Sequence, residues 1–446
     1  MRVPKNGMYM SDADSESFGT SFGEMYSKFT EEVWTEQNVR NITLVLTEDC
    51  NLACTYCYQH GKNQVTLTKD KAKEIVEFLL TSDGLVDYID PEEHICVILE
   101  FIGGEPLLNI ETMDYFIDYF KYRAMELDHP WAYNYMVSMS SNGTLYLSDK
   151  FQKFLSKNKN RVYVGMTIDG NKELHDSCRV YKDGRGSYDD VVKSVRKWVK
   201  DFPDPSTKVT LAPENLDYLV ESLTHLWDLG IFSIPANAVY EDVWTKKDAT
   251  KFYYRLKELA DVIIERALYE YKHTSLFKES YGFPMSSDDD KNWCGGDGSM
   301  LAFGHDGKIY PCLRYMKYSL GNKDREALSI GNIVDGIDKK GTNEKLECLQ
   351  CLTRKGQSTD ECFNCPIATG CSWCSAFNYD VYGRVDKRTT FHCDMHKAQT
   401  MGNVYYWNKL YKTLNIEDKF KMHIPKNWAL EIIPEEEYNM LMKMED

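Results

Sequence analysis

The chain has 446 residues, of which 43% are apolar and 27% charged, and its formal net charge is −16. This composition fits a folded globular chain longer than one ordinary core. The acidic excess argues against general nucleic-acid binding, because phosphates would be repelled. No run of about 18 apolar residues occurs, so no membrane span is expected, and Met1 to Asn38 carries no basic-plus-apolar targeting segment. Fourteen cysteines in such a chain point to a reducing, cytoplasmic compartment and to metal ligation in place of disulfides.

Residues 1–40 read as a polar lead-in with a short amphipathic piece around Met25 to Trp34. From Asn41 onward, strand and helix patterns alternate. The strands are expected at Ile42–Leu46, Ile95–Phe101, Tyr135–Ser140, Val162–Ile168, Lys208–Ala212 and Ile231–Ala238. Helices are expected between them at Lys69–Leu80, Glu111–Glu126, Ser148–Lys157, Tyr188–Lys200 and Glu214–Leu229. Six β–α repeats predict an α/β fold with a parallel sheet and helices outside it, by the right-handed crossover rule. Six are too few for a closed eight-fold barrel, so a partial, open (β/α)6 barrel is expected over residues 41–280. Lys246–Lys272 reads as a long helix that closes this barrel or bridges to the next module. A polar linker, Ser286 to Asp290, then opens a cysteine-rich module over 281–396. Residues 397–446 form the C-terminal part: apolar and aromatic residues at helical spacing from His396 to Leu414 continue into it, followed by an acidic tail.

The stretch Cys50-Asn51-Leu52-Ala53-Cys54-Thr55-Tyr56-Cys57 places three thiols at CxxxCxxC spacing just after the first strand. Thiolates are the soft ligands that iron–sulfur clusters need, and three of them leave one iron of a cubane free. Zinc sites more often pair two CxxC units than use such a triplet. With an aromatic residue before its last cysteine, the triplet resembles that of the radical S-adenosylmethionine (SAM) enzymes. That resemblance implies a [4Fe–4S] cluster on Cys50, Cys54 and Cys57 whose open iron binds SAM. One electron then cleaves SAM to a radical that abstracts a substrate hydrogen, so an electron donor such as ferredoxin or flavodoxin is implied as a partner.

Gly103-Gly104-Glu105-Pro106 closes the second strand. Its glycines permit close approach of a ligand, and ligands of parallel sheets sit at the carboxyl ends of strands. It matches the family's GGEP element, which binds the SAM amino group through its backbone. By the same resemblance Thr167, at the end of the fourth strand, and Arg179 contact SAM. The planar fork of arginine suits a carboxylate. The resemblance also makes Ser141 and Asn142 a loop of the pocket, packs Tyr56 on the adenine and puts Asn237 on the adenine side. The ordinary surface or hydrogen-bonded reading is favoured for His60 and His175. Cys96, amid apolar neighbours, is read as core, and Cys178 is unassigned.

In the second module, Asp306-Gly307 predicts a hairpin turn between Met300–Phe303 and Lys308–Tyr310, which would bring Cys294 and Cys312 together. The run Cys362-x2-Cys365-x5-Cys371-x2-Cys374 with Cys393 behind it resembles the SPASM module, whose cysteines hold two auxiliary [4Fe–4S] clusters. The spacing before Cys374 is one residue shorter than in that family. Carried over, Cys362, Cys365, Cys371 and Cys393 hold a distal cluster, and Cys294, Cys312 and Cys374 a proximal one. Three [4Fe–4S] clusters and SAM are therefore the cofactors implied. Cys348 and Cys351 either complete the proximal cluster or are plain apolar residues of a helix.

The combined resemblance implies a radical SAM/SPASM maturase acting on a peptide. Sulfatase maturases place a catalytic Asp directly after the cysteine matching Cys312, where this chain has Leu313-Arg314. The runs Cys365 to Ala376 and Cys393 to Ala398 look most like maturases of small cysteine-rich ribosomal peptides. The expected reaction is thus an intramolecular thioether, Cys sulfur to carbon, in a cysteine-containing precursor peptide. The alternatives are sulfatase-maturase-like oxidation, epimerisation or carbon–carbon crosslinking on the same scaffold. A small-molecule dehydrogenase on the same modules and a zinc-bearing interaction protein are the readings from other classes.

Overall fold

The computed structural model describes residues 34–445 apart from 36, 60–61, 83–84, 86–88, 290–295, 297–299 and 338–343. Residues 25–33 of the lead-in, His60 and Cys294 lie outside the described residues.

Four parallel strands, β1 (Val39–Thr47), β2 (Cys96–Gly103), β3 (Tyr135–Ser141) and β4 (Val162–Met166), lie side by side in that order. From Ile42 onward β1 is buried at every position. Continuous burial of β-branched and leucine residues is what a sheet covered on both faces requires. The helices α1 (Lys69–Thr81), α2 (Ile110–Glu126), α3 (Asp149–Asn158), α4 (Lys172–Cys178) and α5 (Tyr188–Asp201) alternate with the strands. Thr68, Ser148 and Asn171 each cap a helix, their side-chain oxygens accepting from main-chain N–H groups of the first turn. The short α4 has no counterpart in the sequence reading. It spans only seven residues, too few for a periodic apolar face to register.

The fifth and sixth repeats depart from a continuous sheet. β5 (Val209–Leu211) pairs with β7 (Ala236–Ala238), whereas β6 (Ser233–Ile234) pairs with β8 (His273–Thr274). The expected single strand Ile231–Ala238 is thus two strands that change partner at Pro235, which lacks the N–H a continuous ladder needs. The β4 edge meets β5 through side chains: the Thr207 hydroxyl accepts from Ile168 N–H at 3.2 Å. Nearby, Trp198 Nε1 donates to Val164 O at 2.8 Å. Helix α6 (Leu219–Asp228) is preceded by a 3-10 turn, Pro213–Tyr218. The next helix, α7 (Lys246–Glu265), stops short of Lys272, where Ala267 turns left-handed at φ +51°.

On its other edge β1 pairs in parallel with β9 (Met300–Phe303), and β10 (Lys308–Tyr310), β11 (Gly331–Asn332) and β12 (Gly336–Ile337) follow antiparallel. The expected hairpin forms, with Gly307 at φ +80° in its turn. The cysteine-rich segment therefore extends the barrel's own sheet to eight strands. Helix α8 (Ser375–Tyr382) follows the cysteine run, and α9 (Cys393–Leu414) packs back on α7, with Gly402 against Leu256.

Candidate active site

The loop that carries Cys50, Cys54 and Cys57 leaves the carboxyl end of β1 and is held on both sides by main chain. Gly104 N–H donates to Thr47 O at 2.8 Å and Glu105 N–H to Asp49 O at 2.9 Å. Across the loop, Ala53 N–H donates to Val180 O at 2.7 Å and Thr55 N–H to Cys178 O at 2.9 Å. A Cβ on Gly103 would stand 2.3 Å from Thr47 O, and one on Gly104 2.1 Å from Asp49 O. The space both glycines keep free is therefore taken by the thiol-bearing loop itself. The sequence reading gave that space to a ligand.

Glu105 and Ser141 are likewise committed to structure. Glu105 is fully buried and accepts from Ser141 Oγ at 2.8 Å, Asn142 N–H at 2.7 Å and Leu107 N–H at 3.1 Å. Burial pushes its pKa to about 7 against these three donors. The bonded pair orients Asn142, whose amide donates to Asn51 Oδ1 at 2.8 Å and lies 3.8 Å from Cys50 Sγ.

A second network lies beside Cys54. Asp169 Oδ2 accepts from the Tyr56 hydroxyl and, at 2.9 Å, from Arg179 Nε. The Arg179 guanidinium lies over the Tyr56 ring at 5.5 Å and its Nη1 is 3.9 Å from Cys54 Sγ. Asp169 is 2% exposed, and among the described residues nothing donates to its Oδ1. Thr167 is half-buried where β4 ends, its N–H donating to Ser141 O at 2.9 Å. Sequence reasoning assigned Arg179 and Tyr56 but missed Asp169. It also missed Lys62, whose ammonium stays charged against burial because it faces Cys50 and hydrogen-bonds Cys57. Burial raises the Cys50 and Cys54 thiols, so a bound metal would be needed to hold them as thiolates.

Asn237 stands apart from this network. It lines a cavity of about 40 Å³ with Ser275, Ser372, His392, His396 and Gln399. His175 is buried within hydrogen-bonding distance of Ser187 Oγ at 3.0 Å, and burial lowers its pKa to about 4. Cys96 is buried in β2, as expected for core.

The C-terminal thiols form two gatherings. Cys371, Cys362, Cys393 and Cys365 all act electrostatically on Arg388, whose Nη2 donates to Cys371 O at 3.2 Å and lies 3.1 Å from Cys371 Sγ. Cys312 and Cys374 share Arg314, which lies 4.6 Å over the ring of Tyr58, next to Cys57. Tyr315 ties them by donating to Ser375 Oγ at 2.9 Å. Cys348 and Cys351 are both exposed at the end of the helix Glu344–Gln350. The charged neighbours of Cys348 are Asp386, Cys351 and Arg384, so the pair is neither core nor brought to Cys312 and Cys374. Among the described residues no three His, Cys, Asp or Glu side chains converge as ligands of one metal ion do. A cubane spreads its thiolates over different irons, and the triplet Cys50, Cys54 and Cys57 suits that donor set.

Residues 44–226 match the radical SAM superfamily model. The chain carries a radical SAM domain. That family implies a [4Fe–4S] cluster and SAM at the first site, and the thiols of Cys50, Cys54 and Cys57 with the donor-free Asp169 Oδ1 fit both. The chain is 29% identical over 197 residues, 44% of its length, to an uncharacterized protein of Methanocaldococcus jannaschii. It is 26% identical over 201 residues, 45% of its length, to the serine-type anaerobic sulfatase-maturating enzyme of Bacteroides thetaiotaomicron. The matches span 61% and 46% of those two relatives. A third relative, the radical SAM cyclopropyl synthase TigE of Paramaledivibacter caminithermalis, is 22% identical over 411 residues, 84% of this chain and 76% of TigE. Two solved structures share the fold. anSMEcpe with bound AdoMet and the Cp18Cys peptide has a TM-score of 0.60 at 20% identity over 84% of this chain and 99% of that one. Streptococcus suis SuiB bound to its precursor peptide SuiA has a TM-score of 0.53 at 13% identity over 82% of this chain and 78% of that one. In this chain the residues that match the radical SAM model are followed by a cysteine-rich segment.

Proposed function

We propose that the chain modifies a ribosomally made, cysteine-containing precursor peptide by forming intramolecular thioether links from cysteine sulfur to carbon. The observation that carries this reading is the proximal gathering of thiols. Cys312 and Cys374, with Cys294 added, would make three ligands, while the charged neighbours of Cys348 are Asp386, Cys351 and Arg384. A cubane with three protein thiolates leaves a position for a thiol of the substrate, and Leu313 stands where sulfatase maturases carry a base.

The clusters and SAM, when bound, supply a carbon radical able to remove a hydrogen atom and sites that take up electrons. Cys50, Cys54 and Cys57 would hold the SAM cluster, Cys294, Cys312 and Cys374 the proximal one, and Cys362, Cys365, Cys371 and Cys393 the distal one. Arg179, whose Nη1 lies 3.9 Å from Cys54 Sγ, would offer its Nη2 to the SAM carboxylate, and Asp169 Oδ1 would accept from a donor of the same molecule. Lys62 offsets the negative charge of the first thiols. An electron donor of the ferredoxin or flavodoxin class serves the first site from the cytoplasm.

The peptide-bound neighbours are consistent with a peptide substrate. Similarity to a cyclopropyl synthase over most of the chain favours one second reading, ring closure between carbons. Anaerobically purified protein, SAM, a reductant and a cysteine-containing peptide encoded beside the gene decide between them. A thioether removes two hydrogens, so each link lowers the peptide mass by about two units and leaves its cysteine inert to alkylation. The same mass loss with every thiol still reactive supports carbon–carbon closure, or sulfatase-like oxidation if a side-chain carbonyl forms. An unchanged mass with a changed stereocentre means epimerisation.

A further inference from the structure

Each gathering of thiols has a cation of this chain beside it, and among the described residues Arg388 is the one that contacts both the carbonyl and the sulfur of a cysteine. Lys62 is an ammonium on a flexible stem at the first site, and Arg314 is stacked on Tyr58 at the proximal one. Arg388 is half-buried and its position is fixed by main chain on both sides. Its own N–H donates to Gln357 O at 3.1 Å, and the next residue's N–H donates to Asn378 Oδ1 at 2.9 Å. Its Nη2 reaches both the carbonyl oxygen and the sulfur of Cys371, with Cys362, Cys365 and Cys393 in electrostatic reach.

We propose that Arg388 is the positioning residue that sets the redox poise of the distal centre, holding its reduction potential above what four thiolates alone would give. The inference rests on the reading of these four cysteines as cluster ligands. Four thiolates leave a cubane net negative, and an added electron makes it more so. A fixed cation in hydrogen-bonding contact with a ligand sulfur stabilises the reduced form more than the oxidised one, and burial weakens the screening of that difference. The poise has a use in the proposed reaction. Joining C–H and S–H into C–S releases one hydrogen atom to the SAM-derived carbon, one proton and one electron. A distal centre raised in potential accepts that electron, is reduced by one, and returns it to a one-electron carrier protein of the ferredoxin or flavodoxin class.

The test uses the full chain with Cys50, Cys54 and Cys57 replaced by Ala, so that only the C-terminal centres titrate. Dithionite is added stepwise with redox mediators, and the reduced-cluster electron paramagnetic resonance signal is followed. Arg388→Gln is expected to keep its iron and move one midpoint to more negative potential, with Arg388→Lys in between. An unchanged midpoint in iron-replete Arg388→Gln overturns the inference. If Arg388→Gln loses iron, retention in Arg388→Lys supports the charge role, and loss in both variants overturns it. A parent protein with no reducible C-terminal iron refutes the cluster reading itself, and is recognised because the parent signal is missing before any arginine is changed.

Discussion

The first and distal thiol sites are built in opposite ways. Cys50, Cys54 and Cys57 sit on one loop positioned by the carboxyl ends of β1 and β2, by the segment Cys178 to Tyr181 and by two glycines whose missing side chains let main chain meet main chain. Cys362, Cys365, Cys371 and Cys393 come from separate turns and the first residue of α9, with a guanidinium in contact with Cys371 and in electrostatic reach of the other three. A site built on backbone tolerates exchange of neighbouring side chains but no added Cβ. A site built around a cation tolerates small steric changes but not loss of the charge.

The largest effect should come from emptying the backbone-built site. Replacing Cys50, Cys54 and Cys57 by Ala should bring 5′-deoxyadenosine formation to background while about two thirds of the iron, two of three cubanes, stays bound. Normal SAM cleavage in that variant would end the assignment. Next is Gly104→Ala. Its Cβ would lie 2.1 Å from Asp49 O, so the loop must shift, at a cost of about 1–3 kcal/mol and with a loss of SAM cleavage of roughly tenfold, the rate equivalent of 1.4 kcal/mol. Gly356→Ala in the cysteine-rich segment meets nothing closer than Thr353 Oγ1 at 3.1 Å and should leave both melting temperature and SAM cleavage nearly unchanged. Equal effects of the two glycine changes would erase the contrast between the regions.

The legible part of the molecule is the backbone-built one. Strand and helix periodicity located β1 to β4 and their helices other than α4 within a few residues, and the cysteine triplet and GGEP turn fell where the sheet puts ligands. Other features depend on contacts that no local pattern carries. Pro235 splits the sixth strand because its two halves have different partners. β9 joins β1 across some 250 residues of sequence, which a long-range pairing allows but a local pattern cannot announce. Asp169 meets Tyr56, 113 residues away in the chain, and Arg388 meets Cys371, 17 residues away. Of the two readings open for Cys348 and Cys351, cluster ligands or plain residues of a helix, the structure puts Cys348 on the helix Glu344–Gln350 and leaves both thiols exposed.

A smaller, pH-dependent effect tests how the pocket loop is held. Folding raises the Glu105 pKa from 4.5 to about 7 by burial. Its contribution to stability is therefore fully present below pH 4.5 and is lost as pH rises through about 7, by up to about 3 kcal/mol for a shift of this size. Glu105→Gln lacks that slope, so urea midpoints of the two proteins should converge, or cross, between pH 4.5 and 7. Parallel curves would mean the group is ionised throughout. The smallest effect is expected from Cys348→Ser with Cys351→Ser, which should leave iron content and crosslinking within experimental error. Loss of the proximal centre in that variant would show that these thiols close it.

The account rests on three separate thiol-ligated centres, one for SAM and two beyond it. Iron, sulfide and zinc analysis of the anaerobically purified full chain tests this most directly. About twelve iron and twelve sulfide per chain, without zinc, is the predicted result. About four iron together with stoichiometric zinc would place zinc on the C-terminal cysteines and contradict it.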